Sequence, residues 1–187
     1  MTDLFINTTQ WLQTIEAGKL FFIFFIGAVI GFIHEELYYW IFFHKPGWYG
    51  SLWGPYIPIY GFGALAIFLL SKSISSPFVL FALVFVGSGI LEHFTGVLLL
   101  KLFNRRFWDY RNFPFNFDKE GFVCLYGALA FSFAGVAMQK VLGPFLSSLY
   151  DRLGGNALDG YMLILALIMT ADFIFSFFIK ANPHGEF

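Results

Sequence analysis

The stretch LFFIFFIGAVIGFIHEELYYWIFF, residues 20–43, decides the fold. Its 24 positions are interrupted only by His34, Glu35 and Glu36. At 1.5 Å per residue a helix of that length reaches about 36 Å, enough to cross a ~30 Å hydrocarbon core with tilt. Four more apolar segments follow, at about 55–71, 77–102, 121–143 and 159–180. They are too long for barrel strands and lack a period-2 alternation. The expected fold is an all-α membrane protein. It is a polytopic bundle of five transmembrane helices in one domain over 19–187, the second short and interrupted by Gly and Pro.

Composition agrees. Charged residues are 12% of the 187 positions, against about 25% in soluble domains. Hydrophobic residues are 58%, with 28 Phe, more apolar surface than a soluble core of this size can hide. Eleven basic against twelve acidic residues leave a net charge of −1, which argues against nucleic acid as a partner. The single cysteine, Cys124, excludes an internal disulfide and a cysteine metal cluster. The 22% aromatic content argues against disorder.

Residues 1–18 carry Asp3 and Glu16 and no basic residue, so they do not resemble a signal peptide. Leu4, Phe5, Thr8, Trp11, Leu12 and Ile15 recur at helical spacing. They predict an amphipathic helix in the interface, stopped by Gly18. Lys and Arg in the flanks set the orientation. With five spans, Lys19, Lys72, Lys140 and Arg152 fall on one side. Lys45, Lys101, Arg105, Arg106, Arg111, Lys119 and Lys180 fall on the other, seven against four. That bias predicts a multi-pass cell-membrane protein with its N-terminus outside and its C-terminus inside.

Acids inside the membrane are the informative residues. An ionised carboxylate at mid-bilayer costs about 2.5–3.5 kcal/mol on insertion scales and is kept when it faces protein, water or a counter-charge. Gly27, Gly31 and Glu35 stand four apart on one stripe of the first span. Gly89, Glu92, His93 and Gly96 fall at i, i+3, i+4 and i+7 of the third. Small residues on a stripe let another helix come close. Both carboxylates are therefore expected on packing faces, and those faces are expected to meet. Glu36, 100° round the helix from Glu35, reads as interfacial, and Asp172 in the last span as structural or interfacial. Interhelical hydrogen bonding without chemistry is the alternative reading of both glutamates.

The second span begins Gly54-Pro55-Tyr56-Ile57-Pro58-Ile59-Tyr60-Gly61-Phe62-Gly63 and cannot start as a regular helix. Irregular backbone in lipid is buried in protein or lines a cavity, and a short Gly/Pro-interrupted span points to a substrate site. The connection 101–120 is polar and aromatic. Arg105 and Arg106 suit lipid phosphate, Trp108, Tyr110 and Phe113 suit the interfacial belt, and Asp109 can pair with either arginine if the helix continues. Walker A, Rossmann glycine, His-Glu-x-x-His and Gly-x-Ser-x-Gly patterns are absent from the sequence. No metal and no cofactor are assigned.

The pieces Gly31-x-x-x-Glu35-x-x-Tyr38, Gly54-Pro-Tyr-Ile-Pro-Ile-Tyr-Gly-Phe-Gly-Ala-Leu65, Leu91-Glu92, Trp108-Asp109-Tyr110, Pro114-x-Asn116 and Gly121-x-x-Cys124-Leu125 stand in order along half the chain. In this the chain resembles the CmpB-like ABC-transporter permease family, ABC-transporter type IV. It departs from the family at Ile57, where Cys is frequent, at His34 and Glu36, where apolar residues are expected, and over 117–120, which is expanded. The resemblance implies a permease-like transport component for a solute or lipid. ATP hydrolysis would fall to a separate ATP-binding subunit, and a second copy, a homodimer, would help enclose a pathway among the membrane lipids. Substrate or ion candidates are Glu35, Tyr38, Tyr60, Glu92, His93, Asp109, Tyr110 and Asn116. Two other classes stay open. One is an intramembrane enzyme using Glu35, Glu92 and His93 as acid–base groups on a lipid-linked or small apolar substrate. The other is a non-catalytic assembly or lipid-binding protein.

Overall fold

The computed structural model describes residues 17–44, 52–104 and 106–178. Among these the architecture is helical: α1 (Ala17–Phe43), α2 (Pro58–Ser73), α3 (Pro77–Phe103), α4 (Leu125–Ala137), a π-helical turn (Met138–Leu142), α5 (Gly143–Arg152) and α6 (Asn156–Phe178). The π turn joins α4 and α5 into one 28-residue helix, Leu125–Arg152. That helix, α1, α3 and α6 are the four long and apolar enough to cross a membrane. With 16 residues, α2 spans only about 24 Å at 1.5 Å per residue.

Several boundaries differ from the sequence reading. Gly18 is not a stop, because it lies in the first turn of α1. The rest of the proposed interfacial helix, residues 1–16, lies outside the described residues, as does Arg105. The second helix starts at Pro58 rather than 55, since two prolines three apart cannot both be tolerated in a helix start. The fourth starts at Leu125 rather than 121, because Gly121 takes a left-handed φ of 75° and residues 121–123 pair back onto the preceding loop. It continues past 143 to Arg152. Pro144 falls in the first turn of α5, just after the wider π turn, where a missing N–H is tolerated.

The cap of α3 explains another departure. Ser76 Oγ accepts from Val79 N, with Pro77 at the first helical position, and Asn104 ends the helix in the left-handed region at φ 52°. The helix therefore does not carry on into the connection. Asp109 cannot reach Arg106 by helical spacing and pairs with Arg111 instead.

The chain divides into two compact units, residues 1–66 with 142–186, and residues 67–141. In the first, α1 packs on α6 and α5. Its core holds Ala28, Leu52, Tyr56 and Met169, with Phe21, Phe24, Phe25 and Val29 against them. Segment 52–57 is irregular, and lipid offers no hydrogen bonds. Its donors from Trp53 to Ile57 are nonetheless met. Trp53 N and Gly54 N donate to Asp172, Tyr56 N to Gly54 O at 2.9 Å, and Ile57 N to Ala28 O at 3.0 Å. Pro55 and Pro58 have no N–H to satisfy. Prolines and an outside carboxylate together let non-helical backbone sit inside an apolar unit. At another point of this unit buried Tyr150 donates its hydroxyl to Asp159, and Lys19 pairs with Asp151 at 2.7 Å.

In the second unit α3 packs along α4. The buried positions of α3 are Leu80, Val84, Ser88, Glu92 and Gly96, one stripe at four-residue spacing. Helix α4 answers with Gly127, Ala128, Ser132 and Gly135. Small residues bring the backbones close: a Cβ on Gly135 would lie 3.1 Å from Val84 Cγ2. Ser88 and Ser132 satisfy their hydroxyls on carbonyls of their own helices, Phe85 O at 3.3 Å and Ala128 O at 2.7 Å. The connection after α3 folds back as a hairpin-like loop. Asn116 bridges Cys124, Leu125 N donates to Phe115 O at 3.1 Å, and Trp108 donates its indole N–H to Phe122 O at 3.0 Å.

Candidate functional site

The Glu92–His93 pair on α3 anchors the second unit's polar cluster. Glu92 is 6% exposed. Gly127 faces it across the helix contact, and a Cβ there would lie 3.1 Å from Glu92 Oε1, so glycine is what leaves the carboxylate its space. One residue on, His93 turns toward the loop. Its Nδ1 lies 2.7 Å from Asp118 Oδ2. Asp118 Oδ1 accepts from Phe122 N at 2.7 Å and Val123 N at 3.3 Å, and Asp118 N donates to Asn116 Oδ1 at 3.0 Å. Burial pushes the Asp118 carboxyl up, but His93 and the backbone N–H groups outweigh it and hold the acid below its ordinary value. An ionised carboxylate only accepts, so His93 Nδ1 is the donor. In the neutral imidazole that leaves Nε2 as a lone-pair acceptor.

His93 and Asp118 are the polar wall of a cavity of about 320 Å³. Phe85, Val86, Gly89, Ile90 and Phe94 of α3 and Phe117, Val123 and Ala128 opposite make up the apolar remainder of its lining. Glu120 brings a carboxylate into the same neighbourhood: His93, Asp118 and Glu120 each offer an atom within 4.8 Å of the others. A cation there would compete with the hydrogen bonds Asp118 already makes, to His93 on one oxygen and to two backbone donors on the other.

The first unit holds the other acid. Tyr60 donates its hydroxyl to Glu35 Oε1. The stripe below it is closed by α2: a Cβ on Gly31 would strike the Tyr60 ring, and one on Gly27 would strike Ala64 Cβ. His34 lies between two phenols, its ring centre 6.4 Å from Tyr38 and 6.0 Å from Tyr60. The glycine stripe of the first span thus meets the start of α2, and that of the third span meets residues 118–127, each within its own unit. Gly89 and Gly96 complete the second set, with Val123 and Phe122 as their neighbours.

A family profile described as "Putative ABC-transporter type IV" matches residues 22–177. That is most of the chain and includes both acid clusters. The chain belongs to this family. No curated protein and no solved structure matches it. Family and apolar helices together make this ABC-transporter type IV chain a membrane-embedded, transport-related component.

Not every candidate joins a cluster. Asn116 reaches the His93 site only by fixing Asp118. Asp109 is held by Arg111, whose guanidinium keeps the carboxyl below its ordinary value. Tyr110 uses its N–H on Gly121 O at 2.7 Å. Arg106 lays its guanidinium over the Phe122 ring, 4.7 Å from its centre, and donates to Glu120 O, so its charged head is engaged by the loop. Sequence reasoning passed over Asp118, whose only cue was an Asn two residues ahead of it. It also left Asp172 without a partner, although that residue accepts from Trp53 N, Gly54 N, Tyr56 OH and Ser176 Oγ. The cue was available in the irregular start of the second span, where the N–H groups of Trp53 and Gly54 have no helical carbonyl and had to find an acceptor elsewhere.

Proposed function

We propose that this chain is the membrane permease component of an ABC-type transport system, with Glu35 and Glu92 as the carboxylates that handle the translocated solute or lipid. The observation that supports this most is Glu92: a carboxylate buried in an apolar spanning helix, opposite a glycine that leaves it room. Structural hydrogen bonding does not need a charge at such depth, where an acid costs about 2.5–3.5 kcal/mol to insert. Glu35 stands in the same relation to its own stripe, held by one phenol. The sequence carries no P-loop, so the nucleotide-binding activity belongs to a separate subunit.

The test is to affinity-purify the tagged chain from its own cell membranes and identify what accompanies it. An ATP-binding protein should co-purify. Its ATPase activity in proteoliposomes should depend on this chain and fall sharply with Glu92→Gln and Glu35→Gln, while half-exposed Glu36→Gln changes little. Absence of any ATP-binding partner, or full activity in both Gln variants, would overturn the proposal.

One observation favours a second reading. A His–Asp pair beside an apolar cavity is the arrangement of a general base, with Asp118 orienting His93. An intramembrane enzyme acting on an apolar substrate would turn over as the purified chain alone, without ATP.

A further inference from the structure

We infer that the cavity between α3 and the 117–128 segment binds a membrane-dissolved amphiphile: one apolar chain ending in a small hydroxyl head, seated with that head on His93. Three observations carry it. The first is access. Val86, Ile90 and Phe94 stand four apart on a spanning helix and line the cavity, and they are 59%, 54% and 68% exposed. Within a bilayer that face is wetted by acyl chains, so a ligand arrives from the hydrocarbon and not from water.

The second is chemistry. The lining is apolar except for His93 and Asp118. Asp118 is already committed on both oxygens, to His93 on one side and to Phe122 N and Val123 N on the other. The group left to meet a ligand is the other ring nitrogen of His93, which accepts from a hydroxyl or donates to it according to its protonation, so it selects an alcohol over a pure hydrocarbon. In hydrocarbon that single bond has no competition from water, which is why one polar group can orient a largely apolar molecule. The third is size. About 320 Å³ lies at the low end of the ~300–1,000 Å³ typical of ligand sites. It holds a head and the first part of a chain, with the remainder running out past Phe94 along the exposed face.

Binding does not depend on the transport reading, and its test reads binding alone. The purified chain in nanodiscs is irradiated with a long-chain alcohol bearing a diazirine near its head, and the labelled residues are mapped by mass spectrometry. Labels should concentrate on residues 85–94 and 117–128. Excess dodecanol should suppress them and dodecane should not. His93→Leu should weaken dodecanol competition roughly fivefold, the size of one net hydrogen bond. The competition contrast uses the unaltered chain, so it stands even where the variant folds poorly. Labels spread evenly over all lipid-facing helices would reduce the cavity to ordinary lipid contact and overturn the proposal. So would equal competition by dodecane. Loss of labelling in nanodiscs that hold two copies, with retention in those that hold one, would assign the face to a second copy of the chain and overturn it too.

Discussion

Replacing Asp172 with alanine should unfasten segment 52–57 from the first unit. The carboxylate accepts from Trp53 N at 3.0 Å, Gly54 N at 2.9 Å, Tyr56 OH at 2.6 Å and Ser176 Oγ at 2.9 Å. Ser176 can turn to a carbonyl of its own helix, as helical serines do. Trp53 is 48% exposed, so its N–H can find another partner outside the core. Gly54 N and Tyr56 OH cannot do so easily, since Tyr56 is 5% exposed and packed among Ala28, Leu52 and Met169. A hydrogen bond to a charged acceptor contributes about 1.5–3 kcal/mol, so the two together give about 3–6 kcal/mol. Coupled bonds in one cluster do not add fully, which places the expectation near ~3 kcal/mol. For a chain of this size that lowers the melting temperature by roughly 6–12 °C. Asp172→Asn keeps the shape and one acceptor oxygen but turns an amide N–H₂ toward donors, and about half the effect should remain. Unfolding in mixed micelles, followed by tryptophan fluorescence, measures both. Variants within ~0.5 kcal/mol of the parent would refute the claim that this carboxylate holds the irregular segment.

Other outcomes follow from the same geometry. Gly31→Ala should destabilise by about 1–3 kcal/mol, because its Cβ meets the Tyr60 ring. Gly87→Ala, with nothing within 4 Å of its Cβ, should be neutral or stabilising, and like behaviour of the two in the unfolding assay would sink the close-packing argument. Asp118 sits below its ordinary value in the folded chain, so its stabilising contribution is complete above about pH 4 and is lost as pH falls through the folded value. The stability gap between the parent and Asp118→Asn should therefore be flat above about pH 5 and shrink on acidification. A gap that widens in acid would contradict the assignment. The basic-residue bias predicts a cytoplasmic 101–120 connection. A cysteine at exposed Asn112, in a Cys124→Ser chain, should resist impermeant maleimide in intact cells, and rapid labelling would reverse the orientation.

Much of the fold was legible because lipid solvation leaves a coarse mark. The four long helices announce themselves as runs too apolar for water, and the glycine stripes at 27, 31 and at 89, 96 mark faces that the structure does pack closely. What periodicity could not say is which surface fills each stripe. Tyr60 and Ala64 of α2 close the first, and Val123, Phe122 and Gly127 close the second, pairings set by how the connections return each chain segment rather than by the period of the glycine stripe itself. The end of α3 was legible to within a residue, 102 against Phe103, because the apolar run gives way to Asn104-Arg105-Arg106, and Asn104 tolerates the left-handed conformation that caps it. Asp118 and Asp172 act on backbone N–H groups, and the partners of a carboxylate are fixed in three dimensions by segments that carry no charge to betray them.

The contact between α3 and α4 already contains polar groups that do not need charge. Ser88 and Ser132 are buried in it and settle their hydroxyls on their own helices. Glu92 lies on the same stripe, 15 residues after Pro77 and 11 before Phe103, roughly 22 Å and 16 Å along the helix. At that depth a hydroxyl or amide would hold the helices together at a smaller insertion cost than a carboxylate. The partner across the contact is Gly127, the one residue type that adds no side-chain atom to the space beside Oε1. Acid and glycine are each unfavourable for stability alone, the first through desolvation and the second through helix propensity. Together they leave a buried carboxylate room at the helix contact, at a cost to stability that a purely structural contact would not need. A stability role predicts that the pair could be replaced by Gln and Ala with a gain. The transport role predicts that the same replacement would yield a firmer helix contact in a chain that no longer works.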